Sequence, residues 1–175
     1  MFVDPDADPR VDPPAQGDER ATIVDFLRWQ RGTLELKCSG LDAADLARRS
    51  VEPSTLSLLG LVRHMAEVER GWFRRVMAGQ DVPPLFYSKA DPDGDFDGAV
   101  ADPEVVAKAF QTWRAEVEFA ERFVAEAPSL DVTGNDKWRG AVSLRFVLVH
   151  MIEEYARHNG HADLLRQRID GAVGQ

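Results

Sequence analysis

Apolar side chains recur every three or four residues in four long stretches of the chain, and this spacing predicts four amphipathic helices. We expect helix 1 over about 20–38, helix 2 over about 56–78, helix 3 over about 103–127 and helix 4 over about 141–168. The pattern shows no convincing strand between them. Four long helices in one short chain favour an all-α fold, a four-helix bundle.

Residues that favour helix ends mark the limits of these stretches. Ser54 or Thr55 suits the N-cap of helix 2, and Pro103 suits the first position of helix 3. Gly40 follows helix 1 and Gly171 follows helix 4, where glycine commonly terminates a helix. The sequence therefore predicts both the number of helices and their approximate ends.

The connections differ in length and composition. Residues 1–18 are rich in Pro and Asp and predict an extended N-terminal segment, which leaves 19–175 as the bundle. We expect a short helical turn or loop over 41–53 and a loop with a turn over 129–143. The connection over 79–102 is too long for a hairpin between helices. It suggests a crossover that joins parallel neighbours.

Composition excludes several kinds of partner. Hydrophobic residues make up 44% of the 175 residues, enough for a packed core, and the formal net charge is −9 without a basic patch. Nucleic acids and anionic lipid surfaces are therefore not expected as partners. No apolar run approaches the roughly 20 residues of a membrane span, and the N-terminus does not resemble a secretory signal. These features predict a cytoplasmic protein.

Two further groups have ordinary structural interpretations. Cys38 is the only cysteine, so an intramolecular disulfide is ruled out, and we expect it to be packed in the bundle and not to act as a nucleophile. The arginines at 70, 74 and 75 are expected to form a solvated face of helix 2 in preference to the alternative, an anion-binding site.

Polar residues interrupt the apolar face of helix 4. Glu154 and His158 are one turn apart and fall in the sector that faces the core, marked by Val147, Met151, Ala162, Leu165 and Ile169. A carboxylate in that sector is costly unless it is paired, and no Lys or Arg shares it. Glu154 could accept hydrogen bonds or become protonated, or it could bind a cation together with His158.

Helix 2 offers a third ligand, because His64 lies beside its apolar stripe. Two imidazoles and one carboxylate suit a catalytic divalent metal such as Zn²⁺, and Ni²⁺ or Fe²⁺ would also fit. The order of the residues matches neither the His-Glu-x-x-His motif of zincins nor the Glu-x-x-His motifs of ferritin-like di-metal sites.

The segments LVRHMAEVERGWF and EEYARHNGHADLLR resemble the DinB/YfiT-like metal-binding four-helix bundles, and within them an actinobacterial branch related to mycothiol-dependent transferases. The resemblance implies a metal triad of His64, Glu154 and His158. Many members have a histidine where Glu154 stands, but a glutamate there is similar to the mycothiol-dependent maleylpyruvate isomerase. Those isomerase-like members carry an additional C-terminal domain, so the resemblance favours S-transfer over isomerisation.

This resemblance implies a metal-dependent thiol S-transferase with mycothiol as a co-substrate, a small electrophile as its partner and a homodimeric assembly. Zn²⁺ is the first choice of metal. The catalytic residues are unknown, although His161, Tyr155 or Tyr87 could assist by hydrogen bonding or proton transfer. His150 could line the mouth of the site or lie on the surface. The alternatives are a non-catalytic bundle that binds a metal or small ligand, and a structural bundle whose His and Glu only form hydrogen bonds.

Overall fold

A computed structural model of the protein describes residues 8–174. Within that range no helix has the length and apolar character needed to cross a bilayer. The elements follow in the order α1 (Glu19–Cys38), α2 (Ala43–Ala47), α3 (Leu58–Glu69), a π-helical segment (Arg70–Met77), α4 (Gly94–Asp97), α5 (Pro103–Glu126), β1 (Thr133–Asp136), β2 (Gly140–Ser143) and α6 (Leu144–Asp170).

Helices α1 and α6 run parallel to each other. Nε of Arg145 donates to Glu19 at 2.7 Å near the start of both helices. Nδ2 of Asn159 donates to the Gln30 side chain, also at 2.7 Å, further along both. The all-α four-helix bundle predicted from the sequence is confirmed, and α1, α3 with its π-helical extension, α5 and α6 are its four long helices.

Helices α3 and α5 also run parallel to each other. Glu69 and Trp113 share the hydroxyl of Tyr155, and further along both helices the guanidinium of Arg74 lies 4.0 Å from the ring centre of Phe119. The long connection between these helices therefore joins parallel neighbours, as predicted, and α4 forms part of it. On the other side, α3 runs antiparallel to α6, because His64 contacts His158 whereas the later Trp72 contacts the earlier Phe146.

One residue from each long helix joins a buried polar chain at the centre of the bundle. Nε1 of Trp113 donates to the Tyr155 hydroxyl, which donates to Oε1 of Glu69, each at 2.8 Å. Arg31 binds both carboxylate oxygens of Glu69 at 2.8 Å. Each of these four interior groups has a partner, so the hydrogen-bonded chain fixes the register of all four helices and pairs both of its own charges.

The second predicted helix differs in its start and in its last turns. Ser57 is the N-cap and accepts a hydrogen bond from the Gly60 amide at 3.1 Å, so the helix begins at Leu58 and not after Ser54 or Thr55. Its final eight residues form a π-helix, in which the Ala78 amide donates to the Phe73 carbonyl at 2.9 Å. In a π-helix the hydrogen bonds join residues five positions apart instead of four. The side chains that follow therefore point in other directions than they would in an α-helix.

The predicted solvated arginine face is wrong for two of its three members. Nη1 of Arg70 donates to Oε1 of Glu116 at 2.7 Å, and Nε of Arg74 donates to Oε2 at 2.5 Å. Glu116 on α5 is buried. The π-helical turn directs both arginines towards α5, where they neutralise this interior carboxylate. Arg75 points elsewhere, and its Nη1 donates to the Tyr87 hydroxyl at 3.2 Å.

The expectation of no strand is also wrong, because β1 and β2 form an antiparallel hairpin before α6. Asp136 closes its turn by accepting from the amides of Trp138 at 3.2 Å and Arg139 at 2.8 Å, and Gly140 adopts a positive φ of 75°. Four residues a strand are too few to show alternation in a sequence. Because β2 occupies 140–143, α6 begins at Leu144 and not near 141.

The N-terminal segment lies against α1. Residues 8–18 contain no helix or strand. The Arg10 guanidinium lies 4.1 Å from the ring centre of Trp29, and its Nη1 donates to Thr33 at 2.8 Å. The other part of the predicted extended segment, 1–7, is outside the described residues.

Candidate metal centre

Three of the residues singled out in the sequence meet between α3 and α6. His64, Glu154 and His158 each direct one nitrogen or carboxylate oxygen to a common point, and these atoms lie within 4.8 Å of one another. Nε2 of His158 is 3.6 Å from Oε2 of Glu154, and the two imidazole rings are 4.8 Å apart between centres. The antiparallel packing of the two helices produces this meeting.

The donor set fits a divalent cation. A tetrahedral ion with bonds of about 2.0–2.1 Å holds its ligand atoms about 3.4 Å apart, so a small closure of the three side chains suffices. His158 is buried, whereas His64 and Glu154 are half-buried and border open space. Two nitrogens and one oxygen leave a fourth position for an exogenous ligand, the arrangement of catalytic sites rather than closed structural ones.

The crossover fixes the orientation of His64. Its Nδ1 lies 2.8 Å from Oδ2 of Asp95 on α4, and its ring stacks on Phe96 with 4.7 Å between centres. A carboxylate only accepts, so Nδ1 carries the proton and Nε2 presents its lone pair to the triad. Arg63 anchors α4 by donating to the carbonyls of Gly94 and Asp95, both at 2.7 Å.

His161 supports the second imidazole. Its Nδ1 is 3.4 Å from Nδ1 of His158, on the side of that ring away from Glu154. Burial, followed by the charges of His64, His161 and Arg157, lowers the pKa of His158 to about 4. The His158 imidazole is therefore neutral near pH 7 and keeps a lone pair for a cation.

His150 borders the triad. Its Nε2 lies 3.3 Å from Oε1 of Glu154, and its ring is 4.9 Å from that of Trp72. Of the two positions considered for it, mouth of the site or surface, the structure places it beside the site. Among the described residues, the ion-pair partners of Glu154 are His150 and His158 and not Lys or Arg.

The triad opens into a cleft of about 490 Å³ between the π-helical segment, the crossover and the β-hairpin. The hairpin packs closely on the segment, and a Cβ at Gly134 would overlap the backbone of Val76. Sequence reasoning missed this wall because it missed the hairpin. The lining side chains outside the triad include Trp72, Arg75, Tyr87, Asn135, Lys137 and Trp138.

The remaining candidates occupy different places. Tyr155 turns into the core, where burial raises its pKa well above 10 and its hydroxyl binds Glu69. Tyr87 lines the cleft and accepts a hydrogen bond from Nη1 of Arg75 at 3.2 Å. Cys38 is buried, and this burial raises its thiol pKa to about 12. Its position agrees with the packed cysteine expected from the sequence.

Comparison with known proteins adds one match. No curated protein matches the chain. A family model described as Mycothiol-S-transferase matches residues 22–171, which include most of α1, all of α2 to α6, both strands and the whole triad. Because this match covers most of the chain, the protein belongs to the mycothiol S-transferase family, a DinB-like family of helical bundles.

Proposed function

We propose that the protein is a divalent-metal-dependent enzyme that activates a low-molecular-weight thiol of the mycothiol type for transfer to an electrophile. The observation that carries the proposal is the meeting of His64, Glu154 and His158 at the edge of an open cleft. Membership of the family supports the thiol as co-substrate. Zn²⁺ is the first choice of ion, and Ni²⁺ or Fe²⁺ would suit the same donors.

Each residue has a separate task in this proposal. His64, Glu154 and His158 would hold the ion, and Asp95 and His161 would orient the two imidazoles. A cation bound there would supply the positive charge that favours the thiolate form of a thiol near neutral pH. The thiol proton would leave to solvent through the open cleft. The cleft walls would hold the two substrates close together, which reduces the entropy lost on reaching the transition state.

Elemental analysis tests the metal part first. Untagged wild-type protein should contain about one divalent ion per chain, and His158→Ala should lose it. His150→Ala is the matched control, because His150 lies on the same helix and contacts Glu154 but is not part of the triad. A wild-type protein that holds no metal and takes up neither Zn²⁺ nor Ni²⁺ would contradict the proposal.

Turnover distinguishes the enzyme from a non-catalytic metal- or ligand-binding bundle. Mycothiol is incubated with a panel of alkylating electrophiles, and the rate of thioether formation is compared with that of His158→Ala and of buffer. The proposal expects a metal-dependent rate that the variant lacks. Stoichiometric metal without turnover on any electrophile would favour the non-catalytic alternative. The homodimer and the cytoplasmic location stay predictions, and sedimentation equilibrium measures the first.

A further inference from the structure

Arg75 is the arginine that the π-helical segment directs away from Glu116 and into the wall of the cleft. It lines the same cleft as His64 and Glu154, and about a third of its side chain is exposed. Arg70 and Arg74 of the same π-helical segment bind Glu116 on α5, whereas Arg75 faces the cleft. A basic group is thereby placed beside the triad.

Several N–H groups of the Arg75 guanidinium make no hydrogen bond within the described protein. Nη1 donates to the Tyr87 hydroxyl at 3.2 Å. Nη2 lies 3.7 Å from Oε2 of Glu67, which is too far for a hydrogen bond. Nε finds no hydrogen-bond acceptor among residues 8–174, but it is buried and therefore out of reach of a ligand in the cleft. Of the five N–H donors that an arginine carries, the second N–H of Nη1 and the two of Nη2 remain for a ligand.

Glu67, near Arg75, and Asp136, in the hairpin, both accept hydrogen bonds from backbone amides. Oε1 of Glu67 accepts from the amides of Leu85 and Phe86, both at 2.5 Å. Asp136 accepts from the amides of the hairpin turn, and that hydrogen bonding lowers its pKa. Oε2 of Glu67 stays within ion-pair distance of Arg75 but makes no hydrogen bond to it, so it offsets part of the positive charge and leaves the N–H groups of Nη1 and Nη2 that face the cleft.

The wall around Arg75 leaves room for a ligand with an aromatic or apolar body. Gly71 lies beside the guanidinium, and any side chain there would begin 3.7 Å from Nη2 and cover it. Trp72 and Trp138 line the same cleft. The ammonium of Lys137 lies 4.9 Å from the ring centre of Trp138, at the outer edge of the hairpin.

We propose that Arg75, supported by Tyr87, is a specificity-determining residue that binds a carboxylate on the electrophile. Planar guanidinium groups bind carboxylates through two parallel hydrogen bonds, and the remaining N–H groups of Nη1 and Nη2 meet that requirement. Mycothiol does not carry a free carboxylate, since the carboxyl group of its cysteine is amide-linked, so the electrophile supplies it. This inference rests on the proposed function for the role of the bound molecule, but binding itself can be tested alone.

A matched pair of probes gives a balanced reaction. In 4-(chloromethyl)benzoate and 4-(chloromethyl)benzamide the thiolate sulfur forms a bond to the benzylic carbon, the C–Cl bond breaks, and chloride leaves with its electron pair. The proton of the thiol goes to solvent. The two electrophiles differ only in the carboxylate and its neutral amide replacement, so a difference between them reports the charged group.

The first experiment measures binding without turnover. Calorimetric titration of the purified protein with 4-methylbenzoate and 4-methylbenzamide should show at least a roughly tenfold preference for the carboxylate. Arg75→Gln should abolish this preference, and Arg75→Lys should restore part of it. Lys137→Gln is the charge-matched control on the same cleft and should keep the preference. His158→Ala should also keep it, because the carboxylate is held by Arg75 and not by a metal.

The outcomes separate this inference from the proposed function. Equal binding of the two probes, or a preference lost in His158→Ala but kept in Arg75→Gln, overturns the carboxylate subsite. If the preference depends on Arg75 but the protein alkylates mycothiol with neither chloromethyl probe faster than buffer does, the subsite stands and the transferase proposal fails. If the protein accelerates both reactions equally over their uncatalysed rates, the transferase stands and the specificity role fails. Far-ultraviolet circular dichroism confirms that each variant is folded.

Discussion

Nδ1 of His64 lies 2.8 Å from Oδ2 of Asp95, a residue of the crossover 31 positions further along the chain. The contact fixes the tautomer of the imidazole and directs its other nitrogen to Glu154 and His158. Asp95 is itself held in place, because its Oδ1 accepts from the Phe96 amide at 3.0 Å. The crossover therefore does more than connect two parallel helices, since it orients one member of the candidate metal triad.

Replacing Asp95 should weaken metal binding without removing a ligand. Asp95→Asn keeps the size of the side chain but loses the charge that polarises His64, and we expect the affinity for Zn²⁺ to fall about ten- to a hundredfold. Competition against a chromogenic zinc chelator measures this. Asp97→Asn is the control on the same short helix, because Asp97 pairs with the exposed Arg49. Equal affinities for wild type and Asp95→Asn would show that the contact does not tune the site.

Removing the Tyr155 hydroxyl should destabilise the bundle. In Tyr155→Phe the Trp113 indole nitrogen loses its acceptor and Glu69 loses a donor inside the core. Leaving buried polar groups unpaired costs about 1–3 kcal/mol of the free energy of unfolding, measured by urea denaturation. Tyr87→Phe removes the hydroxyl of the other tyrosine, which lies at the open cleft, and should cost less than about 1 kcal/mol. Similar losses of the free energy of unfolding in both variants would contradict the structural role of the buried hydrogen bonds of Tyr155.

Cys38 should not react with thiol reagents while the protein is folded. Burial raises its pKa to about 12, so almost no thiolate is present at pH 8. A disulfide reagent such as Ellman's reagent should titrate about one thiol per chain in denaturant and almost none without it. Rapid labelling of the folded wild type, at a rate similar to that of a free cysteine, would show that this part of the core is open.

Acid should destabilise the metal-free protein partly through His158. Its pKa is about 4 in the fold against an ordinary value near 6.5, so the unfolded chain takes up the proton first as the pH falls. The stability contribution of the neutral imidazole is therefore lost between pH 6.5 and 4. At pH 5 we expect a loss of about 1–2 kcal/mol relative to pH 7.5, reduced by the residual solvent contact of the ring.

Urea denaturation in the presence of a chelator measures that loss. His158→Gln should depend less on pH than wild type over the same interval, because the titrating group is gone. His150→Gln removes a histidine from the same helix and should retain the wild-type dependence. If His158→Gln and wild type lose equal stability on acidification, another group accounts for the effect.

The sequence predicted helix limits reliably where apolar residues recur every three or four positions over many turns. α1 and α5 begin and end within about one residue of the predicted limits, because Asp18 and Asp102 cap them and the apolar faces are long. Prediction failed where the structure is short or depends on a neighbour. The hairpin has four residues a strand, and the π-helical turn accompanies contacts of Arg70 and Arg74 with Glu116, a residue of another helix.

Helical periodicity and the spacing of Glu154 and His158 are local properties, so the four helices, the crossover and the residue types of the candidate metal triad could be predicted from the sequence. Which acidic residue of the crossover reaches His64 became visible only in the fold, as did the place of Tyr155 in the core. The fold also decided that Arg75 faces the cleft while the preceding arginine faces α5. These relationships depend on how separate helices pack and on a π-helical turn, and neither leaves a periodic signal along the chain.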